Sequence, residues 1–358
     1  MRRARAPLCP TLARLGAALA CVSAAACRRG MQSALDPAGP QARRIENLWW
    51  LFFYVCAAVF VLVMVWTLAA VYRARVRRRE TATALDVTDE PELAPAPQTE
   101  RALRNVVVGA TALTVVILFV FLVASFVTGR ALWEPADRTN QLTVEVTGQQ
   151  WWWKVRYLDA ANAQNVFTTA NEIHIPTNTP VTFKLQAPDV IHSFWVPNLM
   201  GKKDLIPGQI AYLWLQADRP GTYRGQCAEY CGMQHAHMAF YVVAEPPEQF
   251  AAWLTRQRMA AAQPASASAQ RGQQVFMNAP CVMCHTIRGT QAGSGIGPDL
   301  THVGSRTTIA AGTLPNERGH LANWVADAQS VKPGSRMPPN SLSPEDLQAL
   351  LDYLQSLQ

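Results

Sequence analysis

Two stretches of the chain are apolar, uncharged and long enough to cross a bilayer. Residues 48–72 give 25 positions without a charge, and residues 106–129 give 24. At 1.5 Å rise per residue each exceeds a hydrocarbon core of ~30 Å, so the pattern predicts a two-helix transmembrane hairpin over about 45–130. Trp49, Trp50 and Trp66 lie near the ends of the first span and Trp133 lies just beyond the second, where amphipathic rings favour the interface. The intervening loop, 73–105, holds Arg73, Arg75, Arg77, Arg78, Arg79, Arg101 and Arg104. So many arginines in a short loop predict a cytoplasmic side for it. Both termini, and everything after Arg130, are then expected on the periplasmic or outer side, an oxidising compartment.

Beyond the second span the period changes. Leu142, Val144 and Val146 alternate with Thr143, Glu145 and Thr147, and Val181, Phe183 and Leu185 alternate with Thr182 and Lys184. Residues 210–215, 223–227 and 238–243 read as further strands. Short strands punctuated by Pro and Gly predict an all-β antiparallel sandwich or barrel over about 140–250. Residues 247–259 predict one helix, and 259–270, with Pro264 and Ser266, a flexible linker of small residues. The remainder, 271–358, predicts an all-α domain. Ser343, Pro344 and Asp346 supply a cap, a first-turn proline and a capping-box acid, and Leu347, Leu350, Leu351, Leu354 and Leu357 form one stripe.

Composition narrows the class. The formal charge is +7, with 16% charged and 49% hydrophobic residues, which excludes a disordered chain. Arg2, Arg3 and Arg5 precede a small-residue apolar stretch at 15–26, the layout of a secretory signal over about 1–27. Ala24-Ala25-Ala26 offers a cleavage site, with Cys21 or Cys27 as an alternative lipidated first residue. Loss of Arg2, Arg3, Arg5 and Arg14 leaves about +3, and no basic helix or aromatic-studded basic stripe remains to bind nucleic acid.

The eight cysteines all have places: Cys9, Cys21 and Cys27 in the leader, Cys56 in a span, Cys227 and Cys231 in the sandwich, Cys281 and Cys284 in the last domain. Two disulfides are the plainest use of two close pairs in a secreted chain. Both pairs carry extra groups that argue for other chemistry. Cys281-Val282-Met283-Cys284-His285 is the c-type haem attachment pattern: two thiols bond the porphyrin and the adjacent His reaches the iron. Met337, ahead of Pro338 and Pro339, is the best candidate for the sixth ligand, with His302 and His320 as alternatives. Met/His ligation raises the potential, as an electron carrier needs.

The other pair opens the run Cys227-Ala228-Glu229-Tyr230-Cys231-Gly232-Met233-Gln234-His235-Ala236-His237-Met238. Two thiolates, an imidazole and a thioether make a soft set that selects copper, zinc or an iron–sulfur cluster. Structural zinc has no use for Met. His192, 35 residues earlier on a predicted loop, is a further candidate ligand. Two Cys, two His and a Met exceed the needs of one blue-copper centre and suit two coppers bridged by two thiolates.

With these residues in view, the chain resembles cytochrome c oxidase subunit II of the caa type. The resemblance covers nearly its whole length: leader, hairpin, cupredoxin-like sandwich with a CuA site, and a fused class I cytochrome c domain. It implies that Cys227 and Cys231 bridge both coppers, that His192 and Met238 complete one, and that His235 and the Glu229 carbonyl complete the other. It implies that the Glu229 side chain reaches a magnesium shared with subunit I, and that electrons enter at Trp151, the first of Trp151-Trp152-Trp153. Unaided, that triplet reads as core packing. The resemblance gives no role to His237 or His174. Where many relatives carry acids after the Trp cluster, this chain has Lys154 and Arg156, which weakens docking of a basic cytochrome there. The implied function is that of the subunit through which a respiratory terminal oxidase takes electrons. They pass from a soluble or membrane-bound cytochrome c-type donor, through one covalent haem c and binuclear CuA, to subunit I. Subunit I reduces oxygen with proton pumping, and subunit III is a further expected partner. The alternative is a stand-alone membrane-anchored periplasmic shuttle feeding another reductase. CuA motifs also occur in nitrous oxide reductase, which needs a propeller domain. Quinol-oxidase subunits lack the two cysteines.

Overall fold

The computed structural model describes residues 30–81, 97–133, 142–159 and 162–358. The expected leader and the middle of the interhelical loop lie outside these residues. The chain divides into two compact units, Arg44–Glu134 and the remainder.

The first unit is a helical pair, α1 (Pro40–Thr81) and α2 (Pro97–Trp133). Phe60, Leu62, Trp66, Phe119 and Phe126 all stand exposed, more than 60% in each case, so the apolar surface runs all round the helices and asks for lipid. Phe52 and Phe121 stack across the pair with ring centroids 4.1 Å apart. The helices outrun the apolar windows. Arg73, Arg75 and Arg77 to Arg79 form the last turns of α1 rather than a loop, because arginine is a good helix former and nothing in this run stops the helix.

The second unit holds the sandwich and the C-terminal module. Ten strands build two five-stranded sheets: β1 (Thr143–Gln149), β2 (Trp152–Leu158), β3 (Phe167–Ala170), β4 (Glu172–Pro176), β5 (Val181–Gln186), β6 (His192–Trp195), β7 (Lys203–Leu205), β8 (Ala211–Leu215), β9 (Gly221–Cys227) and β10 (Ala239–Glu245). Their orders are β3-β2-β1-β5-β8 and β4-β10-β9-β6-β7. The core lies between them, with Val144, Val146, Val155, Phe183 and Leu185 meeting Ile173, Phe194, Phe240 and Val242. The antiparallel expectation needs one correction. β1 pairs β5 in parallel and β10 pairs β4 in parallel, so both sheets are mixed. Period-two alternation fixes which face is buried but not the direction of a partner strand. Segment 30–43 lies on the same unit, its Ala38 amide donating to the Asn198 carbonyl at 2.7 Å and the Ala38 carbonyl accepting from Asp218.

Helix α3 (Pro247–Arg258) lays Phe250 and Trp253 on the sandwich core. The C-terminal module is built on α4 (Ala267–Asn278), α5 (Arg318–Ala326), α6 (Ala328–Val331) and α7 (Pro344–Ser356), with a two-residue ladder, β11 (Thr308–Ile309) and β12 (Leu314–Pro315). Helices α4 and α7 cross where Gly272 meets the Ala349 carbonyl, a spot with no room for a Cβ. Phe276, Leu321, Val325, Leu350, Leu351 and Leu354 fill the core beneath. Ser343 caps α7, its hydroxyl accepting from the Asp346 amide at 3.1 Å. Residues 267–270 of the expected linker are the first turn of α4, with Ser266 as its cap. The shortened segment is tied down: the Ala261 amide donates to Arg288 O at 2.9 Å, and the Met259 carbonyl lies 3.1 Å from His302 Nε2.

Candidate metal centre and haem-binding segment

Three elements converge on one end of the sandwich. Strand β9 ends on Cys227, strand β6 begins with His192, and the loop 228–238 returns as β10. The register that pairs Phe194 with Cys227 brings His192 beside that loop. His192 therefore opens a strand rather than lying on a loop, and its ring is 0% exposed. Gly148 of β1 makes room for it, since a Cβ there would stand 3.1 Å from the imidazole.

The donor atoms cluster. The Cys227 and Cys231 sulfurs are 3.7 Å apart, well beyond a disulfide bond, and both cysteines are free. Cys227 Sγ lies 3.8 Å from His192 Nδ1 and 3.2 Å from the Glu229 carbonyl. Cys231 Sγ lies 3.7 Å from His235 Nδ1 and 3.8 Å from Met238 Sδ. The sulfurs share a proton: the bond from Cys231 pulls the Cys227 pKa down to about 3, while that same bond pushes the Cys231 thiol up. A set of two sulfurs flanked by one imidazole each, a thioether and a carbonyl fits two soft ions better than one.

Residues around the set fix its geometry. Asp189 Oδ1 lies 2.9 Å from His192 Nε2, and the carboxylate also accepts from the Gln150 and Val190 amides at 2.7 Å each. Orienting the far nitrogen of a ligating imidazole is the usual task of such an acid. The Cys231 carbonyl accepts from Trp151 Nε1 at 3.0 Å and from Gln150 Nε2 at 2.8 Å. Trp153 Nε1 donates to the Met238 carbonyl at 3.3 Å, and its buried ring stands edge-on to His192. Gly232, directly after Cys231, takes a φ of +113°, open to glycine at little cost. Sequence reasoning missed Asp189, Gln150 and Trp153. An acid three residues before a candidate His was the one signal available for the first.

In the C-terminal module, a short helical turn, Pro280–Met283, presents Cys281 and leads to Cys284 and His285. Both cysteines are free. His285 Nδ1 lies 2.8 Å from the Pro298 carbonyl, which can only accept. The ring therefore keeps its proton on Nδ1 and leaves the Nε2 lone pair for a metal. Burial lowers the His285 pKa, which also favours the neutral ring. Met283 and Ile296 stand more than 60% exposed beside this segment, apolar surface suited to a flat apolar group. Met337 is half-buried on the stretch before α7, its carbonyl accepting from Gln329 at 2.7 Å. His302 is held on both nitrogens by carbonyls, Gln358 at 2.6 Å and Met259, and His320 pairs with Glu317.

The two histidines without a role from the resemblance also have places. His237 is exposed, with Nδ1 2.9 Å from Gln234 Oε1. His174 is buried, stacked on Trp253 at 4.1 Å, with Glu245 at 3.0 Å and Glu172 at 3.2 Å on its two nitrogens. Tyr157 OH bonds its backbone, and Thr307 donates to Glu172 from its amide and its hydroxyl. Burial opposes charge on His174, but the bonds to both glutamates outweigh it and raise the pKa above its ordinary 6.5. Burial raises Glu172 too, but the bonds from His174 and Thr307 outweigh it and hold the pKa below 4.5. The raised histidine contributes stability that is full below 6.5 and is lost as pH rises through the folded-state value. The lowered glutamate contributes stability that is full above 4.5 and is lost as pH falls. Thermal unfolding midpoints of the full chain should therefore fall as pH rises from 6.5 toward 9, by about 2–4 °C per kcal/mol lost. In His174→Gln that alkaline limb should be shallower than in the parent. An equally steep limb in the variant would remove His174 as its source.

The chain also matches known families along most of its length. The family "cytochrome C oxidase subunit II, periplasmic domain" matches residues 142–245, and the cytochrome c family matches 269–358. Cytochrome c oxidase subunit 2 of Alkalihalophilus pseudofirmus is 36% identical over 338 residues, 91% of each chain. The namesake protein of Bacillus sp. strain PS3 is 34% identical over 61% of this chain and 63% of its own length. Among solved structures, the periplasmic domain of subunit II of cytochrome oxidase (CoxB) of Bradyrhizobium japonicum is 29% identical, covers 35% of this chain and 97% of its own, and has a TM-score of 0.31. With a match spanning nine-tenths of both chains and a second family filling its C-terminal module, this chain belongs to the cytochrome c oxidase subunit 2 family and carries a C-terminal cytochrome c domain.

Proposed function

We propose that this chain is the subunit through which a terminal oxidase takes in electrons, received on its C-terminal module from a cytochrome c-type donor and delivered from the loop 227–238 to subunit I. The observation that carries the reading is the convergence of two free cysteine sulfurs, 3.7 Å apart, with His192, His235, Met238 and the Glu229 carbonyl around them. His192 and Met238 would hold one copper, His235 and the Glu229 carbonyl the other, and Cys227 and Cys231 would serve both. Two coppers held this way would supply a one-electron centre whose shared valence needs little rearrangement. Asp189 holds the His192 ring in place, and the buried walls exclude water from the sulfurs. The Glu229 side chain reaches a magnesium shared with subunit I. Cys281 and Cys284 would anchor haem c, and His285 and Met337 would ligate its iron. Haem held this way would supply a high-potential one-electron carrier. The hairpin spans the membrane twice with both soluble modules on the periplasmic side, subunit III completes the complex, and Trp151 is where electrons cross to the copper loop.

The test is copper content and electron paramagnetic resonance of the full chain after copper loading. Two coppers per chain and one electron shared by two equivalent nuclei are expected. A single localised blue-copper signal at one copper per chain would overturn the assignment.

A further inference from the structure

The C-terminal module touches the sandwich on the face that carries Trp151, and one buried cation crosses the contact. Lys332, five residues before Met337, is 3% exposed although it belongs to a loop. Its ammonium crosses to the sandwich and donates to the Trp151 carbonyl at 2.8 Å and the His237 carbonyl at 2.8 Å. The Ala310 carbonyl of its own module accepts at 3.3 Å. An ammonium has three N–H donors, and three carbonyls take them. Among the described residues no carboxylate pairs with it. Burial brings its pKa down to about 7. A lysine is rarely buried without a specific set of acceptors, and this set is split between the two modules.

Neighbouring contacts tighten the same seat. Gln234 Nε2 donates to the Pro333 carbonyl at 2.8 Å. At Gly334 a Cβ would lie 3.5 Å from Met233 Sδ and 3.8 Å from the Trp151 ring, so the 332–334 turn covers the indole. Farther out, the Ala239 amide donates to the Ala311 carbonyl at 3.0 Å, and Thr307 donates to Glu172.

We propose that Lys332 is the positioning residue that seats the C-terminal module on the loop 227–238, holding the 332–334 turn over Trp151 so that this indole faces the chain's own haem segment rather than an outside donor. The inference rests on the reading of 281–285 and 227–238 as haem and copper segments for its functional half only. The seating itself requires neither group.

The experiment compares Lys332→Met with the parent as full chain in the assembled oxidase. One readout is amide hydrogen exchange in the peptides that carry Ala239 and Thr307, whose amides are held across the contact. The other is the rate of copper reduction after flash reduction of the haem. Losing hydrogen bonds from a charged donor should speed exchange there by about tenfold or more and slow the internal transfer by a similar factor, with haem and copper spectra unchanged. Gln234→Ala keeps the lysine and removes the adjacent bond. It should loosen the same peptides by about two- to fivefold, which guards against a Lys332→Met chain that fails to fold. Exchange within about twofold of the parent in both variants would overturn the proposal. So would slower transfer with unchanged exchange, because the lysine would then act on the copper's surroundings and not by seating. If exchange rises as expected but the parent binds no copper, the seating stands and the functional reading falls.

Discussion

Cys227→Ser should abolish the shared-electron copper signal and bring oxygen uptake by the assembled oxidase close to zero. Cys227 Sγ lies beside His192, the Glu229 carbonyl and Cys231, three of the candidate donors at once. A serine oxygen is harder, shorter in reach and protonated at neutral pH, and it cannot bridge two soft ions. The fold should survive. Serine is close to cysteine in volume, so the sandwich core to which Cys227 belongs, with Val146, Phe183, Phe194 and Phe240, keeps its packing. Loss of an outer partner of a metal ligand costs about 10–100-fold in affinity. Loss of the bridging ligand itself should exceed that range, and Asp189→Asn should fall inside it. Copper titration of the two variants beside the parent makes the measurement. A Cys227→Ser chain that keeps two coppers and the shared signal would remove the bridge from Cys227.

The candidate copper ligands are legible in the sequence because four of them sit within twelve residues, where spacing alone displays them. His192 was readable as a candidate for its chemistry, yet its strand was not. β6 is four residues long, HSFW, and buried on nearly every position, so it shows no alternation. Strand β2 was hidden for a related reason. Trp151-Trp152-Trp153 reads as an apolar cluster, whereas the pairing Gly148↔Trp153 and Gln149↔Trp152 puts neighbouring indoles on opposite faces. Only Trp153 enters the core. Parallel pairing of β1 with β5 is a long-range fact with no local signature. Contacts such as Lys332 to Trp151 are further still from legibility. Nothing in a Lys-Pro-Gly turn announces that its cation will be buried 181 positions away in the chain. The same distance explains the linker. Small residues and Pro264 predict freedom, but the Arg288 carbonyl and His302 of a later segment hold 259–261 in place.

Ending the chain after Arg258 should leave copper binding intact and slow oxidation of external donors by about 10²-fold or more at micromolar donor, since a short connection alone gives millimolar effective concentration. Copper should persist because the loop is fixed from within the sandwich. Cys227 N donates to the Met238 carbonyl, and Gln150, Trp151 and Trp153 hold the Cys231 and Met238 carbonyls. The cut also keeps Phe250 and Trp253 in the core. Donors then have to dock on a face with little field to draw them. The sandwich from 140 to 250 holds seven basic and nine acidic residues, and Lys154 and Arg156 flank the Trp cluster. Steering that raises on-rates by ~10–10³ needs concentrated charge, and a basic donor finds none here. The intact chain avoids that encounter. Lys154 Nζ approaches the Gly295 carbonyl of the C-terminal module at 3.4 Å, and the 332–334 turn covers Trp151. On the proposed route donor exchange would move to the C-terminal module, whose residues 271 to 358 include six basic and six acidic ones. Steady-state oxygen consumption of both forms across a salt series makes the comparison. The slowing on truncation should exceed any slowing that salt produces in the intact chain, because a seated module does not depend on long-range charge. Equal turnover in the two forms would take the C-terminal module off the main path and return Trp151 to the role of first acceptor.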